Sequence, residues 1–329
     1  ILKIEKKEVE MKLTKKEILK ICEEYNLGKL KDIELIKGGL INHNFILKTN
    51  KGKFIIRIIS RNPKQKDSEF KLLEYLHQKK FPYKTPLPLK NSSGEYILKL
   101  SKKNLWVYKF IKGEHTMNIT DNHLKQIAIA LAKFYEIVKN FKTRELKETW
   151  VFELGWLIKE YSKFKKINPK NKYDKLMVEN ADFFMNLSKE MMKYKKFRKN
   201  LSIVHTDTNH NNLLFNKNKL IGILDFDNIK YAPRAIDVSY GIQQFCRTKK
   251  LRFSLDRKRT KLFLKEYEKI SKLTDKEKKM LLPLMIKYQC LLFWWFYTGM
   301  EKSLNKKYEY MKDTLELARN IKKLLDKKD

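Results

Sequence analysis

The segment IVHTDTNHNNLLFNKNKLIGILDFDN, residues 203–228, constrains this chain more than any other stretch. Its apolar runs predict short strands at Ser202–Val204, Asn212–Phe215 and Leu220–Leu224, with a turn at Asn216–Asn218. If the last two strands pair as a hairpin, Asp225 returns to the end from which Asn212 departs. Asp207 lies on the loop just after the first strand. The pattern therefore demands that one carboxamide and two carboxylates, distant along the chain, meet at one place.

That combination suits phosphoryl transfer. A magnesium ion bridging phosphates needs carboxylate and amide oxygens at one point. An attacking hydroxyl must be oriented and relieved of its proton, which a carboxylate within hydrogen-bond reach can do. Positioning and charge neutralisation supply most of the rate, so few residue types are needed. The spacing His205-x-Asp207-x-x-x-x-Asn212, followed by Asp225-Phe226, matches a kinase catalytic loop and metal-binding motif.

On these residues the chain resembles the aminoglycoside phosphotransferase superfamily, which includes choline kinases and type II homoserine kinases. The likeness runs from about residue 30 to 300. It implies a two-lobed, protein-kinase-like α+β fold with a small antiparallel-sheet N-lobe and a larger, mainly helical C-lobe. It further implies ATP and Mg²⁺ as cofactors, a small-molecule hydroxyl as acceptor, and Asp207 as the catalytic base. Asn212 and Asp225, with Asp227, would bind the metal. His205 would brace the loop, and Asp237 in RAIDVSYG would steady it from the next helix. The chain departs from the family pattern in three places. Thr206 stands where Gly is usual, Asn209-His210-Asn211 replaces a His-Pro before the Asn, and Asp227 stands at the Gly of the protein-kinase DFG motif.

The N-terminal half fits the same resemblance. IKGGLINHNFILKTNKGKFIIRI reads as a nucleotide-binding hairpin, in which Gly38 and Gly39 let backbone N–H groups approach phosphate. Arg57 on the third strand would contact the α- and β-phosphates and pair with Glu69 on the following helix. WVYKFIKGE looks like a hinge strand, with Tyr108, Phe110 and Ile111 around the adenine. Taken alone these residues say little: Gly-Gly is usually a turn, Arg57 a surface charge and Glu69 a solvated helix residue. Their order relative to Asp207, Asn212 and Asp225 gives them meaning.

Element signals complete the outline. Thr14 and Glu17 form a capping box before a helix that Gly28 ends. Strands are predicted at Ile33–Ile36, Asn44–Thr49, Phe54–Ile59, Tyr96–Leu100 and Leu105–Ile111, with a helix over Ser68–Lys80. Helices follow from Asp121 to about Asn140, over Leu154–Phe164 and Tyr173–Tyr194, and from near Thr274. The expected division is 1–30 as an N-terminal extension and helix, 31–113 as the nucleotide-binding lobe, and 114–329 as the catalytic and substrate-binding lobe.

Composition narrows the alternatives. Apolar residues at 42% and aromatics at 12% belong to a globular chain. The formal charge of +36 raises nucleic acid as a partner. The basic residues are mostly Lys and scattered, however, whereas nucleic-acid surfaces concentrate Arg among aromatics, so that partner is not expected. Cys22, Cys246 and Cys290 lack CxxC spacing, so the expectation is free thiols and a cytoplasmic protein. Residues 1–10 are too charged for a signal peptide, and the apolar stretch Leu281–Met300 reads as a core helix rather than a membrane anchor. The run FWWFY, Phe293–Tyr297, suggests core packing first and an aromatic cage for a quaternary ammonium second. Arg234 and Glu301 are weaker candidate substrate contacts, and His43 and His210 read as surface or loop histidines. A protein Ser/Thr kinase of the same fold is the nearest rival, but nothing after Asp225 reads as an activation loop ending in Ala-Pro-Glu. A catalytically inactive nucleotide-binding protein is the other rival, opposed by the intact Asp207, Asn212 and Asp225.

Overall fold

Strand alternation places the residues of Phe54–Ile58 on two faces, yet all five are buried, because this strand lies at the middle of a sheet covered on both sides. The computed structural model describes residues 13–36, 43–59, 66–141, 146, 150–194, 196–197, 200–247, 253–299 and 307–327. Gly38, Gly39, Glu301 and residues 1–10 lie outside these.

The chain forms two compact units, one ending at Lys112 and the other beginning at Gly113. In the first, helix α1 (Lys15–Glu24) precedes strands β1 (Leu30–Leu35), β2 (His43–Thr49) and β3 (Gly52–Ile58). Helix α2 (Asp67–Gln78), β4 (Leu98–Leu100) and β5 (Lys103–Lys109) follow, and the antiparallel sheet has the order β1-β2-β3-β5-β4. The Thr14 capping box forms: Thr14 Oγ1 accepts from Glu17 N at 3.2 Å, and Thr14 N donates to the Glu17 carboxylate at 2.8 Å. Gly28 follows at φ 89°, where a Cβ would stand 2.2 Å from Asn50 Oδ1, so no other residue fits. Ile18, Ile21, Cys22, Tyr25 and Leu27 pack against Leu47, Phe54, Ile56, Ile58 and Val107 on one face of the sheet. On the other, Phe70 of α2 meets Ile55, Trp106 and Tyr108.

The second unit begins with α3 (Asp121–Val138), α4 (Trp150–Phe164) and α5 (Lys172–Met191). Strands β6 (Leu201–Val204), β7 (Leu213–Asn216), β8 (Lys219–Ile223) and β9 (Lys230–Pro233) then interrupt the helices. Helices α6 (Ala235–Phe245), α7 (Arg257–Glu268), α8 (Asp275–Gly299) and α9 (Lys307–Asp326) close the chain. Helix α8 is the one described helix whose length and composition would allow a membrane span. Here it packs against α4, α5, α6 and α9, as expected of a core helix. All three cysteines are buried free thiols.

The predicted elements are present, with shifted ends. The last N-terminal strand stops at Lys109, so Phe110 and Ile111 lie beyond it. Asn212 closes a short 3-10 turn, and the strand starts at Leu213. Strand β9 was not expected; it is short, carries Lys at one end and Pro at the other, and gains its order by pairing with β6. Arg234, considered as a substrate contact, is instead buried in an ion pair with Glu277 at 2.6 Å.

Candidate active site

The hairpin β7–β8 pairs Leu213 with Ile223, and Leu224 N donates to Asn212 O at 2.8 Å. This brings Asn212 beside the residue preceding Asp225, as the sequence pattern requires. The bend into β7 is made by Asn209, whose side chain accepts from Asn211 N at 2.8 Å.

His205 ties the two segments together. Its Nε2 lies 3.0 Å from Leu224 O, and Asp207 N approaches its Nδ1 at 3.3 Å. A carbonyl can only accept, so Nε2 carries the hydrogen and Nδ1 accepts; this tautomer is assigned from the network. Burial drives the His205 pKa down, which keeps the ring neutral. Phe226, fully buried, sets its ring against the imidazole at 4.7 Å. Asp237 in the first turn of α6 holds the same loop from beneath, accepting from His205 N at 2.7 Å and Thr206 N at 2.8 Å. Burial pushes the Asp237 carboxyl up to about 6, and those two N–H bonds oppose the rise.

Asp207 is fixed by two amides. Asn209 Nδ2 donates to its Oδ1 at 2.7 Å, and Asn212 Nδ2 donates to its Oδ2 at 3.1 Å and to its backbone carbonyl at 2.7 Å. Burial pushes the Asp207 carboxyl up to about 6; the amides pull it down, while the charges of Asp225 and Asp227 add to the rise. Asp225 and Asp227 therefore both lie within electrostatic reach of Asp207. Sequence reasoning did not single out Asn209, although Asn two residues after an acidic residue at a turn is a common side-chain bonding pattern.

Asn212 spends its Nδ2 on Asp207, which leaves its amide oxygen for another partner. With the nearby carboxylates this makes an all-oxygen donor set, the kind a hard divalent cation prefers. Among the described residues no three His, Cys, Asp or Glu side chains form a ready-made metal nest. A cation held here needs oxygens from a bound substrate, as magnesium does on phosphates.

In the N-terminal unit, Arg57 is buried on the central strand opposite Trp106. Glu69 is buried too, and its carboxylate takes the Lys66 ammonium at 2.6 Å. Lys66, three residues before Glu69, was not foreseen as a partner. Tyr108 is buried on the Trp106 face, Ile111 is half-buried, and Phe110 N donates to Lys53 O at 3.0 Å. The aromatic run of α8 does not close on one cavity. Phe293 stacks on Phe184 in the core, Trp294 packs on Trp156 with its indole N–H on Glu160, and the Tyr297 hydroxyl donates to Asp174.

A mixed catalytic-loop and hairpin site on a mainly helical unit, following an antiparallel-sheet unit, defines the protein-kinase-like phosphotransferases. The sequence matches the profile described as Phosphotransferase enzyme family over residues 32–273, and the chain belongs to that family. It is similar to a homoserine kinase of Bradyrhizobium diazoefficiens, 25% identical over 84% of this chain and 82% of the relative. A spectinomycin phosphotransferase, solved with ADP and spectinomycin, superposes with TM-score 0.69 at 14% identity, over 94% of this chain and 99% of that one. An amicoumacin kinase, solved with AMP-PNP and Ca²⁺, also reaches TM-score 0.69, at 16% identity over 98% of this chain and 96% of that one. The chain is an enzyme of the small-molecule kinase class.

Proposed function

We propose that the protein transfers the γ-phosphoryl group of ATP to a hydroxyl of a small metabolite, with homoserine the first acceptor to test. The observation that carries this reading is Asp207, clamped by Asn209 and Asn212 with its carboxyl raised to about 6. A carboxylate so held can orient a hydroxyl and still accept its proton. In the transfer, the acceptor oxygen bonds to the γ-phosphorus, the bond to the ADP oxygen breaks, and the hydroxyl proton passes to Asp207. Asn212 and Asp225, with Asp227, would hold Mg²⁺, whose charge would offset that building on the phosphoryl oxygens. His205 and Asp237 position the loop. Residues 31–113 would bind the nucleotide, with Gly38, Gly39, Arg57 and Glu69 at the phosphates and Tyr108, Phe110 and Ile111 at the adenine. Residues 114–329 would carry the catalytic groups and the acceptor. The homoserine kinase relative supports this acceptor class, and the nucleotides bound in the structural neighbours support ATP.

The test is ADP release with homoserine, amino alcohols and sugars as acceptors, with and without Mg²⁺. Asp207→Asn is expected to keep ATP affinity while kcat falls by about 10²–10⁴. Asp225→Ala is expected to weaken Mg·ATP binding instead. Wild-type turnover in the Asp207 variant with the true acceptor would exclude its role as base.

A further inference from the structure

The first residues of the second unit lie along strand β7. At Gly113 a Cβ would stand 3.0 Å from Leu214 Cβ and 3.1 Å from Ile221 Cδ1, so this backbone rests directly on the hairpin. Glu114 and Phe215 exchange both backbone hydrogen bonds, at 2.8 and 2.9 Å. His115 Nδ1 lies 3.1 Å from Leu213 O, and His210 Nδ1 lies 3.0 Å from Thr116 O. A carbonyl can only accept, so both imidazoles donate from Nδ1, again a tautomer assigned from the network. Residues 113–116 thus grip the hairpin and the turn that leads into it.

The last of these bonds differs from the others in what it holds. Gly113, Glu114 and His115 meet residues of β7 and β8, beyond Asn212. Thr116 meets His210, inside the turn that runs from Asp207 to Asn212. The two amides that fix the Asp207 carboxylate, those of Asn209 and Asn212, stand on either side of His210. Asn212 N donates to Asn209 O at 3.1 Å and closes the turn upon itself. The turn is held at its ends, by His205 at Asp207 N and by Leu224 N at Asn212 O. His210 holds its middle, reaching out to Thr116 O and setting its ring 5.1 Å from that of Phe245, the last residue of α6.

We infer that His210 is a positioning residue for the transfer: it anchors the middle of this turn to Thr116, so that both amide clamps keep the Asp207 carboxylate aligned on the acceptor hydroxyl. It acts through Asp207 and not on a substrate. Geometry sets the size of the effect, since a shift of about 1 Å in a reacting group can cost about 10²-fold in rate. The ring contact with Phe245 supplies bulk, while the N–H supplies direction, because a hydrogen bond weakens steeply off line. The assignment rests on the kinase reading above and gives the loop histidine a task within it.

The experiment measures kcat, KM for ATP and KM for homoserine, or for whichever hydroxyl acceptor releases ADP fastest, in four variants. His210→Phe keeps a ring against Phe245 and loses the donor; kcat should fall about 10- to 100-fold while both KM values hold. His210→Asn offers an amide N–H in the place of Nδ1 and should recover most of the loss. His210→Gln is as polar but carries its N–H one bond further out, and should be as slow as the Phe variant. His115→Phe removes a bond of the same kind from the same segment, beyond the turn, and should leave kcat close to wild type. Because His210 acts through Asp207, His210→Phe should cost nothing further once Asp207→Asn is in place. Equal losses of kcat in His210→Phe and His115→Phe, an Asn variant as slow as the Gln one, or losses that add to that of Asp207→Asn would each overturn the inference while the kinase reading stands. Failure to release ADP with any hydroxyl acceptor removes the kinase reading and the inference with it.

Discussion

Thr206 has φ of 61°, in the left-handed region that β-branched residues rarely enter. The strain costs about 1–2 kcal/mol, and Thr206 offsets part of it through Oγ1, which donates to Asn228 O at 2.7 Å. Removing the hydroxyl and removing the strain should therefore act in opposite directions. Thr206→Ala keeps the strain and loses the bond, so it should cost about 1 kcal/mol. Thr206→Gly loses the bond and the strain together and should stay within about 1 kcal/mol of wild type. Urea denaturation of both variants checks this; an Ala variant as stable as the Gly variant would show that the hydroxyl, not the backbone, sets the balance. Asp207 gives a second expectation at this scale. Burial raises its carboxyl to about 6, so it is ionised and able to accept a proton above that value and protonated below it. The pH profile of kcat/KM should be flat above about 6 and fall about tenfold per unit beneath it. The corresponding limb of kcat should lie lower, because a bound divalent cation favours the carboxylate. An acid limb that survives unchanged in Asp207→Asn would assign it to another group.

At the scale of elements, local signals were legible and distant pairings were not. The Thr14 capping box, the β7–β8 hairpin and the Asp207–Asn212 spacing all rest on residues a few positions apart, where chain geometry alone fixes who meets whom. The pairing of β6 with β9 joins residues on either side of that hairpin, and the four residues of β9 carry no alternation to announce it. The ion pair at the start of α8 is of the same kind. Arg234 and Glu277 stand 43 residues apart, and nothing in RAIDVSYG shows that its arginine points inward. Glu69 is an exception among the local pairs: Lys66 stands only three residues away at the helix entrance, yet was not foreseen as its partner. Glu277 does two jobs: it takes the Arg234 guanidinium at 2.6 and 3.1 Å and caps α8 by accepting from Thr274 N at 2.8 Å. The guanidinium is further held by Ser271 and by Lys272 O, and lies over the Tyr135 ring at 4.3 Å. Glu277→Leu would leave that cation buried without its carboxylate, at a cost of about 3–5 kcal/mol. The double variant with Arg234→Met should recover most of the loss, since an apolar pair of similar size is often as stable as the buried ion pair. Chemical denaturation of the two singles and the double forms the cycle. A double variant no more stable than Glu277→Leu would mean that the Ser271 and Lys272 contacts of Arg234, rather than its charge balance, hold this junction.

Across the whole molecule the dominant fact is charge. The 74 basic residues outnumber the 38 acidic ones, so even if each acid took a separate base, 74 − 38 = 36 cations would remain unmatched. Exposed pairs such as Lys48–Asp32 and Lys165–Asp182 exist, but each contributes only about 0–1 kcal/mol. Many weak repulsions among the excess cations act in the other direction, and a high net charge destabilises compact states. Screening weakens both effects, with a Debye length near 10 Å at about 0.1 M salt. The excess makes repulsion the larger of the two, so added salt should stabilise this chain. Melting temperature is expected to rise by about one to two degrees, about 1 kcal/mol at this size, between low-salt buffer and about 0.3 M sodium chloride. Chloride is the right choice, because sulfate and phosphate stabilise folds by surface exclusion and would occupy a phosphate site as well. A melting temperature that falls with chloride would show that surface ion pairs outweigh the surplus lysines, and that the positive charge is arranged rather than scattered.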